Sequence, residues 1–121
     1  MKTTLKKIVN AKDVFVKLSQ KTLPVKESYN IAKLIRAVDA ELAVYNSERM
    51  KLFKKYGELI EDGKKYRVLP ENEELFYKEL NELLEQEVEL AVKPVCLMSD
   101  LFISAQELLA IEDFIEVTED D

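Results

Sequence analysis

The residue types that could perform chemistry are few in this chain, and their scarcity restricts its function. Histidine does not occur. Without histidine there is no Ser-His or Cys-His nucleophile pair, no common general base near neutral pH and almost no zinc site. Two glycines, Gly57 and Gly63, are too few for a Gly-rich phosphate-binding loop. The composition therefore predicts a protein that is not an enzyme and that holds no metal ion or cofactor.

The single thiol belongs to Cys96, so no disulfide can form within the chain. Cys96 lies in the apolar segment VCLM, and Lys93 is the nearest basic residue before it. Nothing in this context would lower the pKa of the thiol, which a reactive cysteine requires. We therefore expect Cys96 to be a small buried side chain rather than a nucleophile.

The charged residues divide the chain into a basic half and an acidic half. Residues 1–57 carry thirteen Lys and Arg against five Asp and Glu, a balance of +8. Residues 58–121 carry five against nineteen, a balance of −14, which leaves the whole chain at −6. Either the two halves fold onto each other through surface ion pairs, or one half presents its field to a partner. We favour the first interpretation.

Two groups of charged residues are the candidate interaction sites. The basic group contains Arg49, Lys54 and Lys55, beside Lys51. Such a cluster could contact nucleic acid, but lysines at these positions also commonly solvate the flank of a packed helix. An acidic protein also repels phosphate at long range, so nucleic acid is not the favoured partner.

The acidic group lies on a second predicted helix and includes Glu79, Glu82 and Glu85. A row of carboxylates is usually the solvated face of a helix. The functional hypothesis is that this row mimics a phosphate backbone. The protein would then bind a nucleic-acid-binding enzyme and inhibit it. Both alternatives stay open at the sequence level.

A long helix is the strongest structural signal. Eight residues follow the spacing 4-3-4-3-4-3-4, and we call them the seam: Ile31, Ile35, Val38, Leu42, Tyr45, Arg49, Leu52 and Tyr56. Such spacing predicts a helix that packs lengthwise against other elements. Pro24 and Gly57 are typical residues for its two ends. A helix over residues 25–56 would be about 48 Å long, so it must project, bend or be covered by several shorter elements.

Arg49 occupies a seam position where apolar residues are expected. One polar residue in a seam can fix register or oligomeric state at a cost in stability. We therefore interpret Arg49 as a packing-specificity residue. Its expected mate is a glutamate of the acidic second helix, such as Glu79, or one from a second chain.

Shorter elements surround the long helix. A first helix is predicted to begin near Ile8 and to end near Lys21, and Asp62-Gly63 indicates a hairpin turn. The second amphipathic helix begins near Glu71 and gives way to a strand near residue 89. The segment SAQE at 104–107 has the form of a capping box before a short C-terminal helix. The chain is thus predicted to be one mostly helical α+β domain over 1–121, in which a long helix and an antiparallel partner helix join a small antiparallel sheet.

Four segments resemble a family of small phage and prophage proteins of unknown function from low-GC Gram-positive bacteria. They are LPVKESYNIAKLI, YNSERMKLFKKYGE, YKELNELLEQEVEL and ISAQELLAIEDFIE. The resemblance spans about residues 3–116 and carries no catalytic motif. It implies a phage gene whose product is made in the host bacterial cytoplasm. No secretory signal and no membrane-spanning segment are expected from the sequence.

These observations together favour a non-enzymatic protein that binds other proteins, most naturally in virion or tail assembly. Its expected partner is a phage structural protein or a host protein, and homo-oligomers are possible along the seam. The alternative is an acidic inhibitor of a host enzyme or defence complex. Binding of nucleic acid through the basic cluster is the third and least favoured class.

Overall fold

The computed structural model describes residues 1–60, 63, 65–97 and 102–117, with Val117 described by its backbone alone. Within these residues the chain forms four α-helices and six short strands. In chain order they are β1 (Lys2–Thr4), α1 (Leu5–Ser19), α2 (Val25–Tyr56), β2 (Gly57–Ile60), β3 (Lys65–Val68), α3 (Glu73–Leu84), β4 (Glu87–Glu89), β5 (Val95–Leu97), α4 (Ala105–Ile111) and β6 (Ile115–Val117). Short 3₁₀ turns cover Pro70–Asn72 and Glu112–Phe114. The mostly helical α+β class is confirmed.

The long helix α2 has the predicted bounds, Val25–Tyr56, and is the element against which the others pack. Its seam is buried from Ile31 to Tyr45, apart from the half-buried Ile35. From Arg49 to Tyr56 the seam is only half-buried. Because α1, β5, α3 and the β2–β3 hairpin each contact part of α2, several short elements cover it.

The partner helix α3 returns antiparallel to α2. Its start lies beside the end of α2, where the Asn72 side-chain amide donates to the Tyr56 carbonyl at 3.3 Å. Beyond its far end, the Gln86 carbonyl accepts a hydrogen bond from the backbone N–H of Leu5 at 3.1 Å. The chain thereby brings α3 back to the first helix and forms the expected helical hairpin with α2.

The strands form three separate pairs rather than one small sheet. β1 pairs with β4 and β2 pairs with β3, both antiparallel, as the N-terminal segment, the hairpin and the strand near residue 89 predicted. β5 and β6 form a parallel pair that the sequence reading did not anticipate. A parallel pair needs a crossover, and α4 provides it.

The main core lies where α1, α4 and β5 meet the first half of α2. Its fully buried side chains include Ile8, Leu18, Leu34, Val38, Ile111 and Phe114. Phe15 of α1 meets Phe114 edge to face, with ring centroids 5.3 Å apart. This contact joins the two ends of the chain to each other through the core.

A second, aromatic cluster lies at the far end of α2, outside the main core. Phe53 is 5.0 Å from Phe76 of α3 and 6.4 Å from Tyr66 of β3, between ring centroids. Phe76 meets Tyr77 edge to face at 5.2 Å. We call residues 49–56 of α2, the β2–β3 hairpin and residues 73–79 of α3 the distal lobe.

Gly57 connects α2 directly to β2. Its φ of −121° is open to any residue, so the left-handed conformation of a glycine helix end is not used. A Cβ at this position would lie 2.7 Å from the backbone oxygens of both Phe53 and Arg67. Glycine is therefore required by close backbone approach. The hairpin is present as predicted, with Gly63 at φ 83°, while Asp62 lies outside the described residues.

Two local predictions about the C-terminal part had different outcomes. The capping box is confirmed, because the Ser104 hydroxyl accepts from the Glu107 N–H and the Glu107 carboxylate accepts from the Ser104 N–H, each at 3.1 Å. The prediction that Cys96 is buried is wrong, since its side chain is exposed. Cys96 is the middle residue of β5, and strand alternation buries Val95 and Leu97 while directing Cys96 outward.

Candidate protein-interaction surface

The candidate interaction residues lie on the two antiparallel helices α2 and α3. Arg49 and Glu79 are half-buried between the helices. Lys54 and Lys55 are exposed near the end of α2, and Glu82 and Glu85 are exposed along and just beyond α3. The structure therefore brings Arg49, Lys55 and Glu79 into the distal lobe and leaves Lys54, Glu82 and Glu85 facing solvent.

Arg49 packs against aromatic rings of its own helix. Its guanidinium carbon lies 5.9 Å from the ring centroid of Tyr45 and 5.9 Å from that of Phe53. These residues are one turn before and one turn after Arg49, so all three share one face of α2. A cation over aromatic faces is an attractive arrangement that needs no carboxylate. Nε of Arg49 is nevertheless buried without a hydrogen-bond partner.

The expected ion pair between Arg49 and Glu79 is not formed. Glu79 instead accepts a hydrogen bond from the ammonium of Lys55 at 3.2 Å. Lys55 lies nearer the hairpin end of α2, where the first turns of α3 face it. The sequence identified the correct carboxylate but the wrong cation. Heptad spacing predicts which residues share one face of a helix, but it does not predict how far one helix is displaced along the other.

Tyr56, together with the Lys55–Glu79 ion pair, shifts the pKa values of both groups in favour of their charged forms. The Tyr56 hydroxyl, ahead of the Lys55 ammonium, lowers the pKa of the Glu79 carboxyl. Tyr56, followed by Glu79, raises the pKa of the Lys55 ammonium. Oε2 of Glu79 is still buried without a hydrogen-bond partner of good geometry. One carboxylate oxygen and one guanidinium nitrogen of the interface are thus left unsatisfied, which is costly when water is excluded.

Ion pairs join the basic and acidic halves within a single chain. Lys7 contacts Asp113 at 2.8 Å, Lys17 contacts Glu107 at 3.3 Å, and Lys55 contacts Glu79 at 3.2 Å. This supports the first of the two interpretations of the charge division. Lys54, Glu82 and Glu85 form no ion pair with any described residue, so the acidic excess of the second half remains on the surface.

Large apolar side chains are exposed on the distal lobe, and the sequence reading missed them. The exposed fractions are 54% for Leu59, 51% for Leu75 and 56% for Tyr77. Leu59 is the register partner of Tyr66, and Tyr77 touches Phe76, so two of the three adjoin the aromatic cluster. The helical period from Phe76 could have identified Tyr77 as exposed, since the adjacent residue points about 100° away.

A groove lies at the end of the molecule opposite the distal lobe. It is an open groove of about 650 Å³, lined by Asn30, Lys33 and the segment of residues 90–96 together with Met1. Within the described part of the chain, no group of three or more Cys, Asp or Glu side chains is placed to hold a metal ion.

The chain matches no protein-family model, no curated protein and no solved structure. Among the described helices, none is long and apolar enough to cross a membrane.

Proposed function

We propose that this protein is a non-enzymatic protein–protein interaction protein whose distal lobe contacts the partner. The supporting observation is the exposure of Leu59, Leu75 and Tyr77 around a half-buried aromatic cluster. Contiguous apolar surface rimmed by charge is typical of protein interfaces, in which aromatic residues are enriched. The proposed setting is phage virion or tail assembly in the host bacterial cytoplasm, and this setting rests on the resemblance of the four quoted segments.

These three side chains are about half exposed in the isolated chain, so a partner can bury them further. Completing the burial of a Leu or Tyr side chain from about half exposure is worth on the order of 1 kcal/mol each. Arg49 and Lys54 at the edge of the lobe provide charges for a polar rim. A contact built in this way depends mainly on apolar burial, so we expect it to tolerate salt.

The second candidate is an acidic inhibitor of a host enzyme or defence complex. The observation favouring it is that Glu82 and Glu85 face solvent without ion-pair partners among the described residues. A contact through these carboxylates would be electrostatic. Added salt would therefore weaken it, and reversal of their charges would abolish it.

Affinity capture from phage-infected host cells, followed by mass spectrometry, distinguishes the two candidate functions. For the proposed contact we expect phage structural proteins to be captured at low and high salt. Leu59→Asp and Tyr77→Asp should lose them, whereas the double variant Glu82→Lys, Glu85→Lys should retain them. Asn10→Asp, an exposed change on α1, is the matched control.

The opposite pattern would overturn the proposal. Capture of a host protein that is lost with Glu82→Lys, Glu85→Lys and with added salt would establish the inhibitor instead. Retention of all partners by Leu59→Asp and Tyr77→Asp would exclude the distal lobe. A salt-sensitive shift of short duplex DNA that Lys54→Glu abolishes would point to nucleic-acid binding.

A further inference from the structure

The groove opposite the distal lobe is formed by two parts of the chain that are distant in sequence. One wall is the turn of α2 that carries Asn30 and Lys33. The other wall is the segment of residues 90–96, which comprises the loop between β4 and β5 and the first two residues of β5. We call this site the lysine groove, because the charged side chains among its described lining residues are Lys33 and Lys93.

Hydrogen bonds hold the segment of residues 90–96 in place, so this wall of the lysine groove is preformed. The amino group of Met1 donates to the carbonyl of Leu90 at 2.8 Å, and the N–H of Leu90 donates back to the carbonyl of Met1 at 2.8 Å. Beyond Pro94, β5 pairs with β6 through Val95, whose side chain is buried. A preformed site loses less free energy to ordering when a ligand enters it.

The size and lining of the lysine groove match those of a small-molecule site. Its volume of about 650 Å³ lies within the range of roughly 300–1,000 Å³ that is typical of ligand pockets. Its apolar surface is contributed by Leu90, Val92, Pro94 and Val95. Apolar walls with a few polar groups that orient the ligand are the usual composition of such sites.

The charge of the lysine groove is opposite to that of the whole protein. The chain has 24 Asp and Glu against 18 Lys and Arg, yet none of the described residues that line the groove is acidic. Neither Lys33 nor Lys93 forms an ion pair with another described residue, and Nζ of Lys33 lies 5.5 Å from the ring centroid of Tyr29. Glu89, just before the lining segment, contacts the amino group of Met1 at 3.2 Å. A cleft lined by one sign of charge raises the local concentration of ligands of the opposite sign.

The polar groups of the lysine groove select for an anion, and its walls select against a nucleotide. The ammonium groups of Lys33 and Lys93 and the side-chain amide of Asn30 are donors for anionic oxygen atoms. None of the described lining residues is aromatic, so a nucleobase would find no ring on which to stack. An anionic group attached to an aliphatic body fits both the donors and the apolar walls.

We propose that the lysine groove binds a small organic anion, whose carboxylate or phosphate group is held by Lys33 and Lys93 and whose aliphatic chain covers Val92 and Pro94. The groove lies beside the first half of α2, whereas the distal lobe contains the end of that helix. The proposal therefore goes beyond the protein–protein contact of the distal lobe, and either one can be rejected without the other.

The thiol of Cys96 reports the electrostatic field in the lysine groove, because it is exposed, lines the groove and is the only thiol of the chain. Its reaction rate is measured with dithiobis(nitrobenzoate), a dianion, and with dithiodipyridine, which is neutral. Dividing the two rates removes the ionised fraction of the thiol, which both reagents share. The control is Cys96→Ser, Ser47→Cys, whose new thiol lies on α2 beside the ion pair of Glu48 and Lys51. At low salt we expect the rate ratio to be about fivefold higher at Cys96 than at the control thiol.

Substitutions assign this field to the two lysines. Lys33→Gln, Lys93→Gln should lower the rate ratio at Cys96 to that of the control thiol, with unchanged helical circular dichroism. Lys33→Arg, Lys93→Arg keeps both charges and should keep the ratio. Lys12→Gln, Lys54→Gln changes the net charge equally at exposed positions outside the groove and should also keep it.

Protection of Cys96 from dithiodipyridine tests the ligand class. Octanoate and octyl phosphate carry a carboxylate and a phosphate on the same aliphatic chain, and each should slow the reaction, with half of the effect near about 1 mM. Comparing the two identifies the preferred head group. Octanol, which is uncharged, and inorganic phosphate, which has no chain, should leave the rate unchanged. In amide NMR spectra, the shifts caused by octanoate should centre on residues 90–96.

Four results would overturn the proposal. They are an equal rate ratio at Cys96 and at the control thiol, a ratio at Cys96 that is unchanged in Lys33→Gln, Lys93→Gln, equal protection by octanol or by inorganic phosphate, and no protection by either octanoate or octyl phosphate. None of these bears on the proposed function. Partner capture through the distal lobe should be the same for Lys33→Gln, Lys93→Gln as for the parent protein, and its loss in Leu59→Asp should leave the protection of Cys96 unchanged.

Discussion

The guanidinium of Arg49 lies between the rings of Tyr45 and Phe53 in a line of otherwise uncharged seam residues. Its two ring contacts contribute about 0.5–1 kcal/mol each at partly exposed sites. Against them stands the buried Nε without a partner, and an unsatisfied buried donor costs about 1–3 kcal/mol. The two effects nearly cancel, so we expect Arg49 to contribute little to stability, and packing specificity stays the hypothesis for its role.

Replacement of Arg49 by Met is therefore expected to leave the free energy of unfolding unchanged or to raise it by up to about 1 kcal/mol, since methionine fills the space without an unsatisfied donor. Urea denaturation measures this, with Lys54→Met as an exposed control on the same helix. A loss of stability of more than about 1 kcal/mol would contradict the balance described above. If oligomeric mass and partner capture are also unchanged, a role for Arg49 in specifying register is excluded.

Glu107 links the capping box of α4 to α1. The N–H and hydroxyl of Ser104, followed by Lys17, lower the pKa of the Glu107 carboxyl below its usual 4.5. The folded protein thus keeps Glu107 ionised to lower pH than the unfolded chain does. Protonation therefore favours unfolding, and the stabilising contribution is complete above the usual pKa and is lost as pH falls through the lowered one.

Thermal unfolding measured between neutral pH and about pH 3 tests this linkage. Glu107→Gln should be less stable than the parent protein near neutrality, and the difference between the two should shrink as the pH falls below 4.5. Glu82→Gln, an exposed change on α3, is the control. A difference in stability between the two proteins that stays constant over the whole pH range would mean that the charge of Glu107 does not contribute to the stability of the fold.

At the scale of elements, α2 connects two clusters of buried side chains, and α3 contacts both, since Leu80, Leu83 and Leu84 pack against the main core while Phe76 belongs to the aromatic cluster. The first half of α2 joins α1, α4 and β5 in the main core, and the second half joins the hairpin and α3 through Phe53 and Phe76. Stability in such an arrangement is not uniform, and an element held by few buried side chains opens first. Phe76 is the buried member of the aromatic cluster, at 3% exposure.

Removal of the Phe76 ring should therefore destabilise the distal lobe more than the rest of the fold. Phe76→Ala is expected to cost about 3–5 kcal/mol, as for other large-to-small core changes. In hydrogen-exchange mass spectrometry, protection should fall in the β2–β3 hairpin and the first turns of α3 while α1 and α4 keep theirs. Phe102→Ala is the matched control, since Phe102 is 87% exposed. An equal loss of protection in α1 would show that the two clusters unfold as one.

At the scale of the whole molecule, the chain is held by apolar packing across its length, and the opposite charges of its halves add little. The ion pairs Lys7–Asp113, Lys17–Glu107 and Lys55–Glu79 join the halves, but their lysine side chains are 55–65% exposed and their carboxylates 23–47% exposed. Exposed pairs gain little because water and salt screen them and ordering two long side chains costs entropy.

Simultaneous replacement of Lys7, Lys17 and Lys55 by Gln should therefore lower stability less than Phe114→Ala alone, for which core-truncation series give about 3–5 kcal/mol. Far-ultraviolet circular dichroism should be unchanged by the triple replacement. Urea midpoints of the two variants make the comparison. A triple variant less stable than Phe114→Ala would mean that charge pairing holds the halves together.

Several features followed from the sequence because they depend only on neighbouring residues. The length of α2 followed from the seam spacing with Pro24 and Gly57 at its ends, and the capping box from Ser104 and Glu107 three residues apart. The hairpin followed from two strand-forming runs around Gly63. Hydrogen bonding and side-chain period within a single element are local, so short-range patterns are sufficient to predict them.

Tertiary structure alone decided which surfaces meet. It paired Glu79 with Lys55 instead of Arg49, exposed Cys96 and Tyr77, and placed β6 parallel to β5. These outcomes depend on the stagger of two helices and on which edge of a strand is covered. Neither is encoded in the spacing of one segment, because each is set by the packing of residues far apart in the chain. The sequence by itself thus determined the elements and their apolar faces, and only the fold determined which charged and apolar side chains remain available to a partner.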